Sequence, residues 1–72
     1  MDRLDPEAVG SLTGRELQVL GLTAQGLSAK EIAKELMIAP RTVERHIDHI
    51  RLKTRTRNRS HMVAFAIHNK CV

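Results

Sequence analysis

The sequence predicts an all-α fold, a four-helix bundle, and three observations carry that prediction. The apolar residues are almost all aliphatic, with one Phe and no Trp or Tyr. Such a composition suits packed helices better than a sheet, where aromatic and β-branched residues are favoured. Two capping boxes, Thr13-x-x-Glu16 and Ser28-x-x-Glu31, mark helix starts, because hydroxyl and carboxylate each satisfy a backbone donor that the first turn leaves unpaired. Apolar residues then recur three and four apart, so that each segment can bury one stripe. A chain of 72 residues makes one domain at most and buries only about 60% of its unfolded surface, so its core must be compact.

Residues 1–11 have no sustained apolar period and contain Pro6, Gly10 and Ser11. They read as a tail or linker with one short turn near Pro6–Val9: either the start of a free-standing small protein or, the reading the linker-like composition favours, the remnant of a connection to a preceding domain. The domain is expected over residues 12–72. Thr13 opens the first helix; Val19, Leu20 and Ala24 share an apolar face with Thr23, and Gly26 ends it, glycine being the usual residue just past a helix C-terminus. Ser28 opens the second helix, with a stripe of Ala29, Ile32, Ala33 and Leu36 extended by Met37.

Ile38 and Ala39 form the turn, and Pro40 suits the first position of the third helix, where its missing N–H has no intrahelical partner anyway. Val43, Ile47 and Ile50 make the inner stripe of that helix, expected over about 40–54. At 100° per residue the opposite face is Arg41, Arg45, Asp48 and Leu52, flanked by Thr42, Glu44 and His49. Residues 54–57 close the helix and cross to the fourth, which Asn58 or Ser60 caps and which runs to about Asn69. This last helix is apolar on more than one side, with Met62, Val63, Phe65, Ala66 and Ile67. One face covers the core. The rest either closes the bundle, through Phe65 and Ile67, or forms a self-association surface.

The second and third helices, joined by a very short turn, read as a helix-turn-helix whose second member can enter the DNA major groove. Charge supports the reading. Residues 1–35 carry four cations against six anions, net −2; residues 41–59 carry seven against two, net +5; Lys70 completes the total of +4. A cationic half on a mildly acidic one points to a polyanion partner on one face.

Other classes fit poorly. The sequence holds no nucleophile–base pair, paired carboxylates or glycine-rich phosphate loop, so no enzyme and no cofactor are expected. His46 and His49 stand three apart, but four histidines without an acidic or thiolate cluster argue against a metal site. Cys71 is the single cysteine, so no internal disulfide is expected. No apolar run near Met1 and no 18-residue apolar stretch appears, so no membrane association is expected and the location is cytoplasmic.

The blocks Leu12-Thr13-x-Arg15-Glu16, Val19-Leu20, Gly26-Leu27-Ser28-x-Lys30-Glu31-Ile32-Ala33, Leu36-x-Ile38, Thr42-Val43-x-x-His46 and Asn58-Arg59-Ser60 together closely resemble the LuxR-type (GerE-type) helix-turn-helix domain of bacterial transcription regulators. The resemblance spans Leu12 to about Val72, with the spacing between blocks also matching. It implies a four-helix bundle with helices two and three as the helix-turn-helix, binding of promoter DNA, and dimers that meet through the fourth helix. Two departures stand out. Where the family usually has Leu-Gly-Val, this chain has Thr54-Arg55-Thr56, so hydroxyls replace apolar plugs and arginine replaces the terminal glycine. Positions where many members are basic hold Glu44 and Asp48.

Arg45, in the middle of the outer face, is expected to read a base, since a guanidinium pairs bidentately with guanine. Glu44 and Asp48 are further candidate readers, because a carboxylate accepts from the cytosine amino group. The alternative for both is an ion pair one turn away with Arg41, Arg45 or Arg51. Lys30, Arg41, Thr42, His46, His49, Lys53 and Arg59 are expected to contact phosphate and set register; Arg59 could instead pair with Glu16. Val63, Ala64 and Ile67 are the expected homodimer contacts. Two other readings remain open: a sigma-factor-like promoter-recognition domain, which would need RNA polymerase as partner, and a helical protein-interaction module of the same fold.

Overall fold

Among the described residues, four helices follow one another with short connections: α1 (Gly14–Ala24), α2 (Ala29–Leu36), α3 (Pro40–Thr54) and α4 (Arg59–His68). The computed structural model describes residues 10–69, and no strand occurs among them. The expected turn near Pro6–Val9 and the readings of Lys70 and Cys71 lie outside the described residues.

Both capping boxes form. The Glu16 N–H donates to Thr13 Oγ1 at 3.1 Å and the Thr13 N–H to Glu16 Oε1 at 2.9 Å. At α2 the Glu31 N–H donates to Ser28 Oγ at 3.2 Å and the Ser28 N–H to Glu31 Oε1 at 2.8 Å. α3 starts on Pro40 with no side-chain cap, its ring preset for the first helical position. At α4 the choice falls on Asn58, whose Oδ1 accepts from the His61 N–H at 2.9 Å.

The first three helices end alike. In each, a residue with positive φ turns the chain, and the next N–H reaches back to a carbonyl five residues earlier: Leu27 to Leu22 at 3.2 Å, Ile38 to Ala33 at 3.0 Å, Thr56 to Arg51 at 3.1 Å. The turning residues are Gly26, Met37 and Arg55, with φ of 95°, 58° and 57°. This is the Schellman termination, which satisfies carbonyls that the helix end would leave unpaired. It also corrects the reading of Met37. The left-handed backbone swings that side chain off the buried stripe and leaves it 90% exposed, and the turn begins at Met37 rather than at Ile38.

The core is a single cluster. Val19 and Leu20 of α1, Ile32 of α2, Val43 and Ile50 of α3, and Met62, Phe65 and Ala66 of α4 are inaccessible, or nearly so for Ala33, Leu12 and Ile47 around them. Burying each large aliphatic or aromatic side chain contributes about 1.5–3 kcal/mol. The two candidates for closing the bundle separate here: Phe65 enters the core, whereas Ile67 points outward at 62% exposure. Thr54 and Thr56 are both buried. Thr54 Oγ1 donates to the Ile50 carbonyl at 2.7 Å and lies 3.0 Å from Thr56 Oγ1. Two hydroxyls thus replace two apolar plugs without leaving either one unpaired.

Candidate nucleic-acid interface

α3 is divided sharply by its period. Val43, Ile47, Ile50 and Thr54 are buried, and this anchors the helix against α1, α2 and α4. Arg41, Glu44, Arg45, Asp48, His49 and Leu52 on the other side are exposed, with Thr42 and His46 half-buried at the flanks. The structure therefore brings every expected base-reading residue onto one solvent-facing surface. Lys30 of α2 is exposed as well, and the packing of α2 on α3 through Ile32 and Ala33 fixes the angle at which α3 is presented.

The acidic residues of that surface differ. Asp48 lies 3.7 Å from Arg51 Nη1, one turn on, with both side chains open to water, a pair worth about 0–1 kcal/mol. Glu44 makes no ion pair with any described residue, so its carboxylate is free to accept.

Lys53 and Arg59 are engaged otherwise than expected. Lys53 Nζ donates to Glu16 Oε1 at 2.8 Å and to the Ser11 carbonyl at 3.1 Å, tying the end of α3 to the start of α1. This ammonium is a structural strut between the two helices. Glu16 is thereby taken by Lys53, which corrects the alternative in which it pairs with Arg59. Arg59 instead donates from Nη2 to the Leu27 carbonyl at 2.7 Å, fastening α4 to the connection between α1 and α2.

In the sequence Glu16 is a capping residue and a possible partner for Arg59, yet it is 4% exposed. A signal was present: Glu16, Val19, Leu20 and Thr23 have the i, i+3, i+4, i+7 spacing of one buried stripe. Burial pushes its carboxyl pKa up, but hydrogen bonds from Lys53 and Thr13 and the charge of Lys53 outweigh burial, and the net shift is downward. At exposed Glu31 the Ser28 hydrogen bonds alone lower the pKa. Arg51 is a second residue with more to do than the sequence suggested. Besides facing Asp48, it donates from Nη2 to the Arg57 carbonyl at 3.0 Å and so braces the α3–α4 connection.

Among the described residues, no group of three or more His, Cys, Asp or Glu could hold a metal ion, and no helix is long and apolar enough to cross a membrane.

Comparison with known proteins gives the same outline. The family model described as bacterial regulatory proteins, luxR family, matches residues 10–66. The probable transcriptional regulator ycf29 of Cyanophora paradoxa is 40% identical over 62 residues, covering 86% of this chain and 30% of that protein. The transcriptional activator protein SolR of Ralstonia nicotianae is 40% identical over 67 residues, 93% of this chain and 28% of its own. The oxygen regulatory protein NreC of Staphylococcus carnosus is 39% identical over 59 residues, 82% of this chain and 27% of its own. The chain thus spans less than a third of the length of these relatives. No solved structure matches it significantly.

Proposed function

Because the chain belongs to the luxR family of bacterial regulatory proteins, we propose that it is the sequence-specific double-stranded DNA-binding domain of a cytoplasmic transcription regulator, with α3 as the helix that enters the major groove. The observation that carries this reading is the division of α3: an inner stripe locked into the core and an outer face offering Arg41, Glu44, Arg45, Asp48 and His49 together. A rigid helix with one polar face free is what groove reading requires, since base edges are distinguished by fixed donor and acceptor positions.

Arg45 reads a guanine, and Glu44 and Asp48 are placed to accept from cytosine amino groups. Lys30, Arg41, Thr42, His46, His49 and Arg59 hold the flanking phosphates and set the register. Lys53 acts one step removed, by fixing the angle of α3 against α1. Two copies associate through α4, where exposed Ala64 and Ile67 adjoin half-buried Val63. Such a pair would present two α3 helices to half-sites about one helical turn apart. Promoter DNA is the partner, and RNA polymerase is met there.

Selection of bound duplexes from a random pool, followed by gel shifts at low salt, tests the reading. An enriched motif with a G·C pair in each half-site is expected. Absence of binding to any duplex at low salt overturns it.

A further inference from the structure

Resting on the DNA-binding reading and extending it, we infer that Arg55, at the C-terminal end of α3, is a phosphate contact held in a backbone conformation that costs the free domain stability. Arg55 occupies the turning position of the Schellman termination, at φ 57° and ψ 35°. Gly26 fills the equivalent position after α1; with no Cβ it does so without steric penalty. A side chain there is disfavoured, so strain at this residue calls for a reason. Met37 carries similar strain with no charge, so strain by itself does not mark a site.

The second observation is electrostatic. Arg55 is exposed; its backbone N–H donates to the Arg51 carbonyl, but its guanidinium makes no hydrogen bond or ion pair with any described residue. Glu16 and Asp48 are engaged with other cations: Glu16 with Lys53 at 2.8 Å and Asp48 with Arg51 at 3.7 Å. Arg51, Lys53 and Arg57 stand within four residues of it in sequence, a segment dense in positive charge. The helix dipole favours a cation at a C-terminus, but Arg51 and Lys53 already occupy the last turn. The backbone of Arg55 is thus unfavourably placed in the domain alone, and its guanidinium has no partner there. A phosphate at the groove edge supplies that partner, at the end of a recognition helix where backbone contacts are made in other helix-turn-helix proteins.

The test is salt-dependent binding of the whole chain to a duplex, with thermal unfolding measured on the same samples, for wild type, Arg55→Gly and Arg55→Lys. Arg55→Gly is expected to raise the Tm by a few °C while lowering the slope of log K against log salt by about 0.9, one phosphate's share. That change corresponds to roughly eightfold weaker binding at 0.1 M salt. Arg55→Lys is expected to keep the wild-type slope. Wild-type binding with affinity and slope unchanged in Arg55→Gly overturns this assignment alone. A lowered Tm in Arg55→Gly overturns the claim that arginine sits there against stability, and weaker binding with an unchanged slope makes the residue structural and overturns the phosphate contact. Wild-type protein that binds no duplex at low salt overturns the DNA reading and this assignment with it.

Discussion

Lys53 Nζ and Glu16 Oε1 lie 2.8 Å apart across 37 residues of sequence, and through this bond the reading helix is braced on the first turn of α1. The same carboxylate oxygen accepts from the Thr13 N–H at 2.9 Å, so one atom caps α1 and anchors α3. Lys53→Met should destabilise the domain by about 1–2 kcal/mol, because it leaves a buried carboxylate short of a partner while a partly exposed ammonium is lost. Thermal unfolding should register this as a drop of several °C; an unchanged Tm would mean that the pair contributes nothing.

The same pair sets an acid limit. The Glu16 pKa is lower in the folded state than its ordinary 4.5, so the unfolded chain binds the proton first. Its contribution is fully present above pH 4.5 and declines as pH falls through the folded value. Urea unfolding of wild type and Glu16→Gln between pH 3 and 7 should show a stability gap at neutral pH that closes on acidification. A gap that widens in acid would contradict the sign of the shift.

The buried hydroxyl pair makes a test of additivity. Thr54→Val leaves Thr56 Oγ1 buried without its partner and should cost about 1–2 kcal/mol. Thr56→Val costs less, since Thr54 still donates to the Ile50 carbonyl. The double variant should be more stable than Thr54→Val alone, because removing both partners spares the unpaired group. Simple addition of the two losses would show that the hydroxyls do not interact.

Base reading and phosphate holding separate in their salt dependence. Arg45→Ala should cost about 1–3 kcal/mol on a selected site and relax preference at one base pair. Lys30→Ala should weaken binding to all sequences alike and make the salt slope shallower by about 0.9. If Arg45→Ala weakened every sequence equally, Arg45 would belong with the phosphate contacts.

Ile67, 62% exposed on α4, gives the association surface its test. Ile67→Glu should leave the fold intact and shift the sedimenting species from dimer to monomer. A wild-type chain that sediments as a monomer at high concentration would remove α4 as a self-contact in this domain.

The helices and their buried stripes were legible because they follow from local rules. Capping boxes at Thr13 and Ser28, Pro40 at a helix start, and Val43, Ile47 and Ile50 at helical spacing each act within a turn or two of the chain. Residue types and intervals were therefore enough to place α3 and to choose its outer face. The glycine after α1 was legible for the same reason, whereas Met37 and Arg55 at equivalent positions were not: their left-handed backbone is imposed by the neighbouring packing against their own preference.

Long-range pairing was out of reach of such rules. A sequence shows that Lys53 and Arg59 are cations, and a cation near a helix-turn-helix reads as a phosphate contact. Only the packed bundle brings Lys53 to Glu16 and Arg59 to the Leu27 carbonyl, so that both cations also brace the fold. What the sequence by itself determined is which faces are apolar and where each helix starts, since periodicity and capping are properties of consecutive residues. The tertiary structure decided which charges remain free for DNA, because a charge is satisfied by whatever group folding places within about 3 Å of it, and that distance has no counterpart along the chain.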